Sequence, residues 1–496
     1  MIAMSTLPQP HPEPVPDPSA RQVAAPPVGA PLVGAPLVVR TVACEDLGAL
    51  LRLIPGGLAP DEILSWVRRG EGLVGWGRAE TFTARGPQRF TEAQAWWTNA
   101  ARHAIVRDEV GLPGTGPVVF GSVPFADDSA EEALFIVPEV VVGHRGGHWW
   151  LTTARRDPQL RPIPVVGPTT TPQAPDDVSF SDGALSPTEW AVTVAEAVAR
   201  ITRGDLDKVV LARDLCVEAS SAIDARWILG QLAQRYDNTW TFSVGGLVGA
   251  TPELLVRRDK GLVTSRVLAG TIRRTGDDGK DLALAGSLAR SSKDLEEHEY
   301  AVRSVADALA PHCSSMNVPE SPFVLHLTNV MHLATDVAGV SSDDASSLAL
   351  AASLHPSAAV GGTPTADAVA LIAELEGMDR GRYAGPVGWM DATGDGEWGI
   401  ALRCGQFVDD TATALWLYAG CGIVAGSEPE SEVAESDAKF VPMRDALSGG
   451  WSSGTGAAPS GDGDEGRGEH GRRQQVADAG EGVHEGGAPR HGPDQL

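Results

Sequence analysis

The sequence predicts an α+β protein built on large, mainly antiparallel β-sheets. Three observations carry that expectation. Short apolar runs recur along the chain between Gly and Pro turns, a few longer stretches show helical spacing, and strands and helices mix without regular β-α-β alternation. With 496 residues, 42% of them hydrophobic, the chain is long enough to bury a sizeable core.

Taken in order, residues 1–38 are rich in Pro and Ala and repeat VGAPL at Val28–Leu37. Such a segment has too little apolar surface to offset its ordering entropy and reads as a flexible arm. From Val39 to Thr153, GLVGWG at Gly72–Gly77, PVVF at Pro117–Phe120, ALFIVPEVVV at Ala133–Val142 and HWWL at His148–Leu151 read as strands. A Pro- and Thr-rich connector covers Arg155–Asp177. Ser186 and Pro187 then open a helix as N-cap and first helical residue, followed by Trp190, Val194, Ala197, Val198 and Ile201 at helical spacing.

Further strands are expected at Lys208–Arg213, Trp240–Val244, Glu253–Arg257, Phe323–Leu327, Gly399–Arg403 and Leu415–Ala419. Helices are expected at about Lys280–Leu309, Ala345–Ser353 and Ala366–Leu375. From Gly449 to Leu496 the chain is Gly, Ser and charge with almost no large apolar residue, and reads as a disordered tail.

Composition excludes several classes of function. The net charge of -26 argues against a nucleic-acid partner, since phosphate binding needs a basic surface. The five cysteines are scattered and form no CxxC pair, as expected of reduced thiols in a cytoplasmic protein. No apolar stretch approaches the roughly 18 residues of a membrane span, and the N-terminus lacks a secretory pattern. The phosphate-binding motifs GxGxxG after a strand and GxxxxGK[ST] are missing.

Several polar residues stand where chemistry could be built. SSKDLEEHE at Ser291–Glu299 sets Asp294, Glu297 and His298 within one helical turn. EPESEVAESDAK at Glu428–Lys439 places Glu432 and Glu435 one turn apart, with Lys439 a turn further on. Two acidic helices that meet would hold a hard cation such as Mg²⁺, although the same spacing describes solvated helix faces. Lys208 lies on an apolar strand, where burial would favour its unprotonated form and basic chemistry; a strand-end lysine can equally reach out to water. Glu253 follows a Pro at a strand start, and a buried carboxyl there could serve as a general acid. LAGT at Leu268–Thr271, VGG at Val360–Gly362, YAGPVGW at Tyr383–Trp389 and AGCGIVAGS at Ala419–Ser427 would let backbone amides approach an anion. Arg403 and Lys439 could neutralise a carboxylate.

The order of DKVVLAR, TPELLVR, LAGTIRR, KDLEEHEYAV, VMHLATDVAG, LHPSAAVGGTP, YAGPVGW, IALRC and GCGIVAGSEPESEVAESDAK resembles the chorismate-utilising enzyme family over roughly residues 186–440. That family includes isochorismate, salicylate, anthranilate and aminodeoxychorismate synthases. The resemblance implies the fold of anthranilate synthase component I: two large, mainly antiparallel sheets packed together, helices outside and a site in a cleft. It implies that residues 39–180 are the variable part of one catalytic unit and 181–448 the chorismate-binding part, with the tail beginning at 449.

Matched motif by motif, the resemblance implies Lys208 as general base and Glu253 as general acid, with Glu297, Glu432 and Glu435 at the Mg²⁺. It implies substrate contacts from Ala269, Gly270, Thr271, His332, Ala359, Arg403, Gly422 and Lys439. Family members that use ammonia generally carry Gln where Lys208 stands. Aminodeoxychorismate synthases carry a nucleophilic Lys at the place of Ala269, and anthranilate and salicylate synthases tend to have Thr at the place of Ala359. This chain is therefore most similar to isochorismate synthase, an isomerase that adds water at C2 of chorismate and expels the C4 hydroxyl. Salicylate synthase, which goes on to eliminate pyruvate, is the second expectation. The resemblance implies a monomer needing no glutamine amidotransferase subunit, and a product that feeds menaquinone or siderophore synthesis. Thr365 departs from the basic residue that relatives often carry there.

Overall fold

A computed structural model describes residues 35–157, 162–408 and 410–449. The arm over residues 1–34 and the tail from residue 450 lie outside the described residues.

Among the described residues the strands form a 13-stranded and a 10-stranded sheet. Pairing is antiparallel apart from Val38–Cys44, which runs parallel to Ile105–Asp108. Both sheets draw strands from both halves of the chain. Ile63–Arg68 pairs with Trp240–Val244 in the larger sheet, and Val118–Ser122 pairs with Pro386–Asp391 in the smaller. The backbone donors of either half therefore find partners on the other. The fold is α+β, with two large antiparallel sheets, as the sequence predicts.

One apolar cluster takes side chains from both sheets, including Trp66, Phe120, Phe135, Trp389 and Trp398. Each is fully buried, which stabilises the fold by roughly 1.5–3 kcal/mol per large side chain. A second cluster joins the larger sheet to the helices Ala225–Arg235 and Pro429–Leu447 through Ile228, Leu232, Phe440 and Met443.

Three local expectations change. The helix expected over Lys280–Leu309 is two helices, Asp278–Leu288 and Ser292–Leu309, because Ser291 turns extended and caps the second through the Asp294 amide (3.3 Å). The run Ala133–Val142 is two strands, Ala133–Val137 and Val140–Arg145, divided at Pro138, which has no N–H to give a ladder. The strand expected at Gly399–Arg403 spans Gly396–Ile400, and Arg403 lies beyond it in a left-handed conformation with φ 51°. The Ser186 capping box stands: its Oγ accepts from the Glu189 amide and Glu189 returns a bond to the Ser186 amide, opening the helix Pro187–Thr202.

Candidate active site

The longest pairings of the two sheets supply the walls of one cavity of about 260 Å³. From the larger sheet come the strands Lys208–Glu218 and Ala414–Ile423, paired along their length. From the smaller come Leu262–Arg273 and Val330–Ser341. The helices Ser292–Leu309 and Pro429–Leu447 present their first turns at the same cavity. Every residue to which the resemblance gives a site role lines it: Lys208, Glu253, Ala269, Gly270, Thr271, Glu297, His332, Ala359, Arg403, Gly422, Glu432, Glu435 and Lys439; His298, singled out with Glu297, does not.

Lys208 is the first residue of its strand and is 1% exposed. Its Nζ lies 3.0 Å from Glu297 Oε1. Burial would raise the Glu297 carboxyl, but the Lys208 ammonium, with Lys439 and Lys293 behind it, holds it below the usual value. Two partners frame this pair. The antiparallel bridge of Lys208 with Thr363 fixes the loop that carries Ala359, and Gly422 passes so close that a Cβ there would meet Glu297 Oε1 at 2.6 Å. Glycine at 422 thus makes room for the pair.

Glu253 sits on the opposite wall, buried ahead of the strand Leu254–Asp259. Burial pushes its carboxyl up to about 8, against the attraction of Lys208 and Lys439. At neutral pH it is a protonated acid facing the cavity. Beside it, the strand Leu262–Arg273 bulges between Ala269 and Thr271, with Gly270 at φ 77°. The bulge brings the Thr271 hydroxyl to 3.1 Å from His332 Nδ1. Burial, reinforced by Arg403 and Lys439, holds His332 well below its usual value and keeps it neutral, and its buried Nε2 has no hydrogen-bond partner among the described residues.

The acidic end holds four carboxylates, Asp294, Glu297, Glu432 and Glu435, one pair from each helix. Burial raises Asp294, and the neighbouring Glu297 and Glu435 add to it. Burial raises Glu432 likewise, followed by Glu435. Oxygens of Glu432 and Glu435 lie within 4.8 Å of each other and of Cys421 Sγ. Their mutual repulsion marks an excess of negative charge that a divalent cation such as Mg²⁺ would offset; among the described residues Glu432 and Glu435 stand within ligand reach of each other, and Glu297 of the facing helix does not join them. In this structure lysines meet that charge: Lys208 at Glu297, Lys439 at Glu435 (2.7 Å) and Lys293 at Glu432 (3.8 Å).

The cationic end is Arg403 and Lys439. Arg403 is buried, which lowers its guanidinium; Lys439 also donates to the Gly420 carbonyl (2.7 Å). Arg403, Lys439, Glu253 and Lys208 line the same cavity, so carboxylate-binding cations and both candidate proton-transfer groups face one small space. Sequence reasoning set Asp294 beside Glu297 on the acidic helix but did not carry it into the ligand set; it stands one turn before Glu297 and lines the cavity. That reasoning also passed over Tyr383 and Tyr418, whose rings stack at 5.0 Å along the wall. Tyr383 belongs to a motif read for its glycines, and Tyr418 to a run, Leu415–Ala419, read only as a strand. Thr365 opens the helix Thr365–Leu375 and does not line the cavity.

A sequence model of the chorismate binding enzyme family matches residues 63–448. Isochorismate synthase DhbC of Bacillus subtilis is 36% identical over 343 residues, covering 67% of this chain and 81% of the relative. Isochorismate synthase MenF of the same organism is 31% identical over 405 residues, covering 76% and 85%. A solved structure of DhbC from Bacillus anthracis superposes with a TM-score of 0.66 at 34% identity, covering 79% of this chain and 98% of the other. No described helix is long and apolar enough to cross a membrane.

Proposed function

The chain belongs to the chorismate binding enzyme family, and from that premise we propose that it is an isochorismate synthase, interconverting chorismate and isochorismate with Mg²⁺. The observation that carries this reading is the pairing of roles across the cavity. A buried lysine stands on one wall, and a carboxyl that stays protonated up to about pH 8 stands on the other. Addition of water and departure of hydroxide need one group that takes a proton and one that gives it.

In the forward direction the unprotonated form of Lys208 takes a proton from water as the water oxygen bonds to C2 of the ring. Both ring double bonds shift one position, the C4–oxygen bond breaks, and Glu253 delivers its proton to the departing hydroxyl, which leaves as water. In reverse the two residues exchange roles. Arg403 and Lys439 hold substrate carboxylate, with backbone amides near Gly422. Neutral His332 offers its free Nε2 to a substrate oxygen and Thr271 fixes the ring. Ala359 leaves the substrate in the pose for simple water transfer. Glu297 and Glu435 would hold the Mg²⁺, with Glu432 and Asp294 beside them. When bound, Mg²⁺ would supply positive charge to offset that of the substrate carboxylate.

We further read residues 39–448 as one catalytic unit acting in the cytoplasm as a monomer. Lysine rather than glutamine at 208 supports water as the nucleophile and so the absence of a glutamine amidotransferase subunit. The relatives and the small Ala359 support isochorismate as the end product. The test is purified protein with chorismate: isochorismate should form with Mg²⁺, cease with EDTA and resume on adding Mg²⁺ back. Release of pyruvate in step with chorismate loss would instead identify a salicylate-forming enzyme.

A further inference from the structure

Away from this cavity, a second cleft of about 190 Å³ opens beside the turn Arg145–His148 and the strands Ile63–Arg68, Trp240–Val244, Leu254–Asp259 and Gly396–Ile400. Its charged lining is four arginines, Arg68, Arg69, Arg145 and Arg257, against only two glutamates, Glu71 and Glu397. In a chain with net charge -26, a concentration of positive charge needs a reason.

The glutamates do not supply one. Glu397 is buried and its oxygens are fully used: Oε1 accepts from Arg145 (2.7 Å) and Arg257 (2.6 Å), Oε2 from the indoles of Trp66 (3.0 Å) and Trp240 (3.1 Å). Glu71 already accepts from the Gly146 amide (2.8 Å). Arg68 and Arg69 have no carboxylate partner among the described residues. Arg68 Nε donates to the Asn238 carbonyl (3.1 Å), and its guanidinium lies 4.3 Å over the Trp240 ring. Arg69 donates to the Asn238 side-chain oxygen from Nε (3.1 Å) and from Nη2, which leaves its Nη1 without a partner among the described residues. Burial, then repulsion from Arg266 and Arg69, pushes the Arg68 guanidinium down to about 10 despite Glu397. Gathering guanidinium groups in a partly dry cleft costs free energy unless an anion offsets it.

We infer that this cleft binds a small dianion through carboxylate or phosphate oxygens, held in the fork of Arg68 and Arg69 and backed by Arg145 and Arg257. Guanidinium forks match both oxyanions, and a cleft of this size holds a phosphate or a short dicarboxylate.

The experiment measures thermal stability and calorimetric binding of the full chain with sodium phosphate and, separately, sodium succinate. Sodium chloride holds ionic strength constant. A saturable stabilisation by either dianion is expected, and the stronger of the two identifies the ligand chemistry. Arg68→Gln/Arg69→Gln should weaken that binding about tenfold or more, the equivalent of one charge-assisted hydrogen bond. Should the double variant fail to fold, Arg69→Glu alone, at an exposed position, should weaken it in the same direction. Arg403→Gln, in the first cavity, should leave it intact. Stabilisation no greater than with chloride, equal affinity in the folded cleft variants, or loss in Arg403→Gln instead would overturn the inference.

Discussion

Lys208 Nζ lies 3.0 Å from Glu297 Oε1; Lys208 is buried, Glu297 partly so, and both lie against Gly422. The proposed base and a proposed metal ligand therefore share one contact, and a cation at Glu297 must compete with the ammonium. Lys208→Ala should lower kcat about 10²–10⁴-fold, the worth of a general base. The same substitution should tighten Mg²⁺ binding, because a rival positive charge is gone. Calorimetric Mg²⁺ titration and steady-state kinetics check the two halves. Glu297→Gln should weaken Mg²⁺ binding.

Gly422→Ala tests the same contact from the other side. Its methyl would fall 2.6 Å from Glu297 Oε1 and 3.0 Å from Lys208 Cε. Both are atoms of flexible side chains, so the fold should accept the change while the pair separates. The expected result is a melting temperature within a few degrees of wild type, with a loss of activity of at least tenfold.

Glu253 gives a pH dependence with a definite sign. Its folded value of about 8 lies above its ordinary 4.5, so folding favours the protonated form. The stability linked to it is fully present below about pH 4.5 and is lost as pH rises through 8. The forward kcat/KM should fall above about pH 8 as the acid ionises. Glu253→Gln should abolish most activity and flatten the fall in melting temperature between pH 5 and 8. Profiles of kcat/KM and of melting temperature check this.

Much of this site was legible in the sequence because its residues sit in short motifs that fold as units. Glu432, Glu435 and Lys439 share one helix, and Glu253 follows Pro252 at the head of a strand. The sheets were legible from apolar runs bounded by Gly and Pro. What the sequence left open arises from contacts between distant segments. Nothing local shows that Glu297 would meet Lys208, nor that Arg68, Arg145 and Arg257 would share a cleft. Arg403 follows the apolar run Ile400–Leu402 and reads as the end of that strand, yet the strand stops at Ile400 and the Arg403 backbone is left-handed. The break before Ser292 was written in Ser291, a capping residue inside an otherwise continuous helical pattern.

Ala359→Thr bears on the choice of product. It adds a methyl and a hydroxyl beside the substrate, on the loop held by Lys208 and Thr363. Isochorismate formation should slow, and pyruvate release should rise above the wild-type level in a coupled lactate dehydrogenase assay.

Deleting residues 450–496 should leave kcat and KM nearly unchanged, since the helix Pro429–Leu447 already closes the site with Glu432, Glu435 and Lys439. Steady-state kinetics of the shortened chain, with circular dichroism to establish folding, check this.

The central claim is that water enters at C2 as the C4 hydroxyl departs, and isotope labelling reads it directly. Wild-type protein is given chorismate, Mg²⁺ and ammonium in ¹⁸O-enriched water, and the products are taken early in the reaction for mass spectrometry. The account predicts isochorismate carrying one ¹⁸O at its C2 hydroxyl, little pyruvate and no amino product. Unlabelled isochorismate, or anthranilate formed from the ammonium, would contradict it.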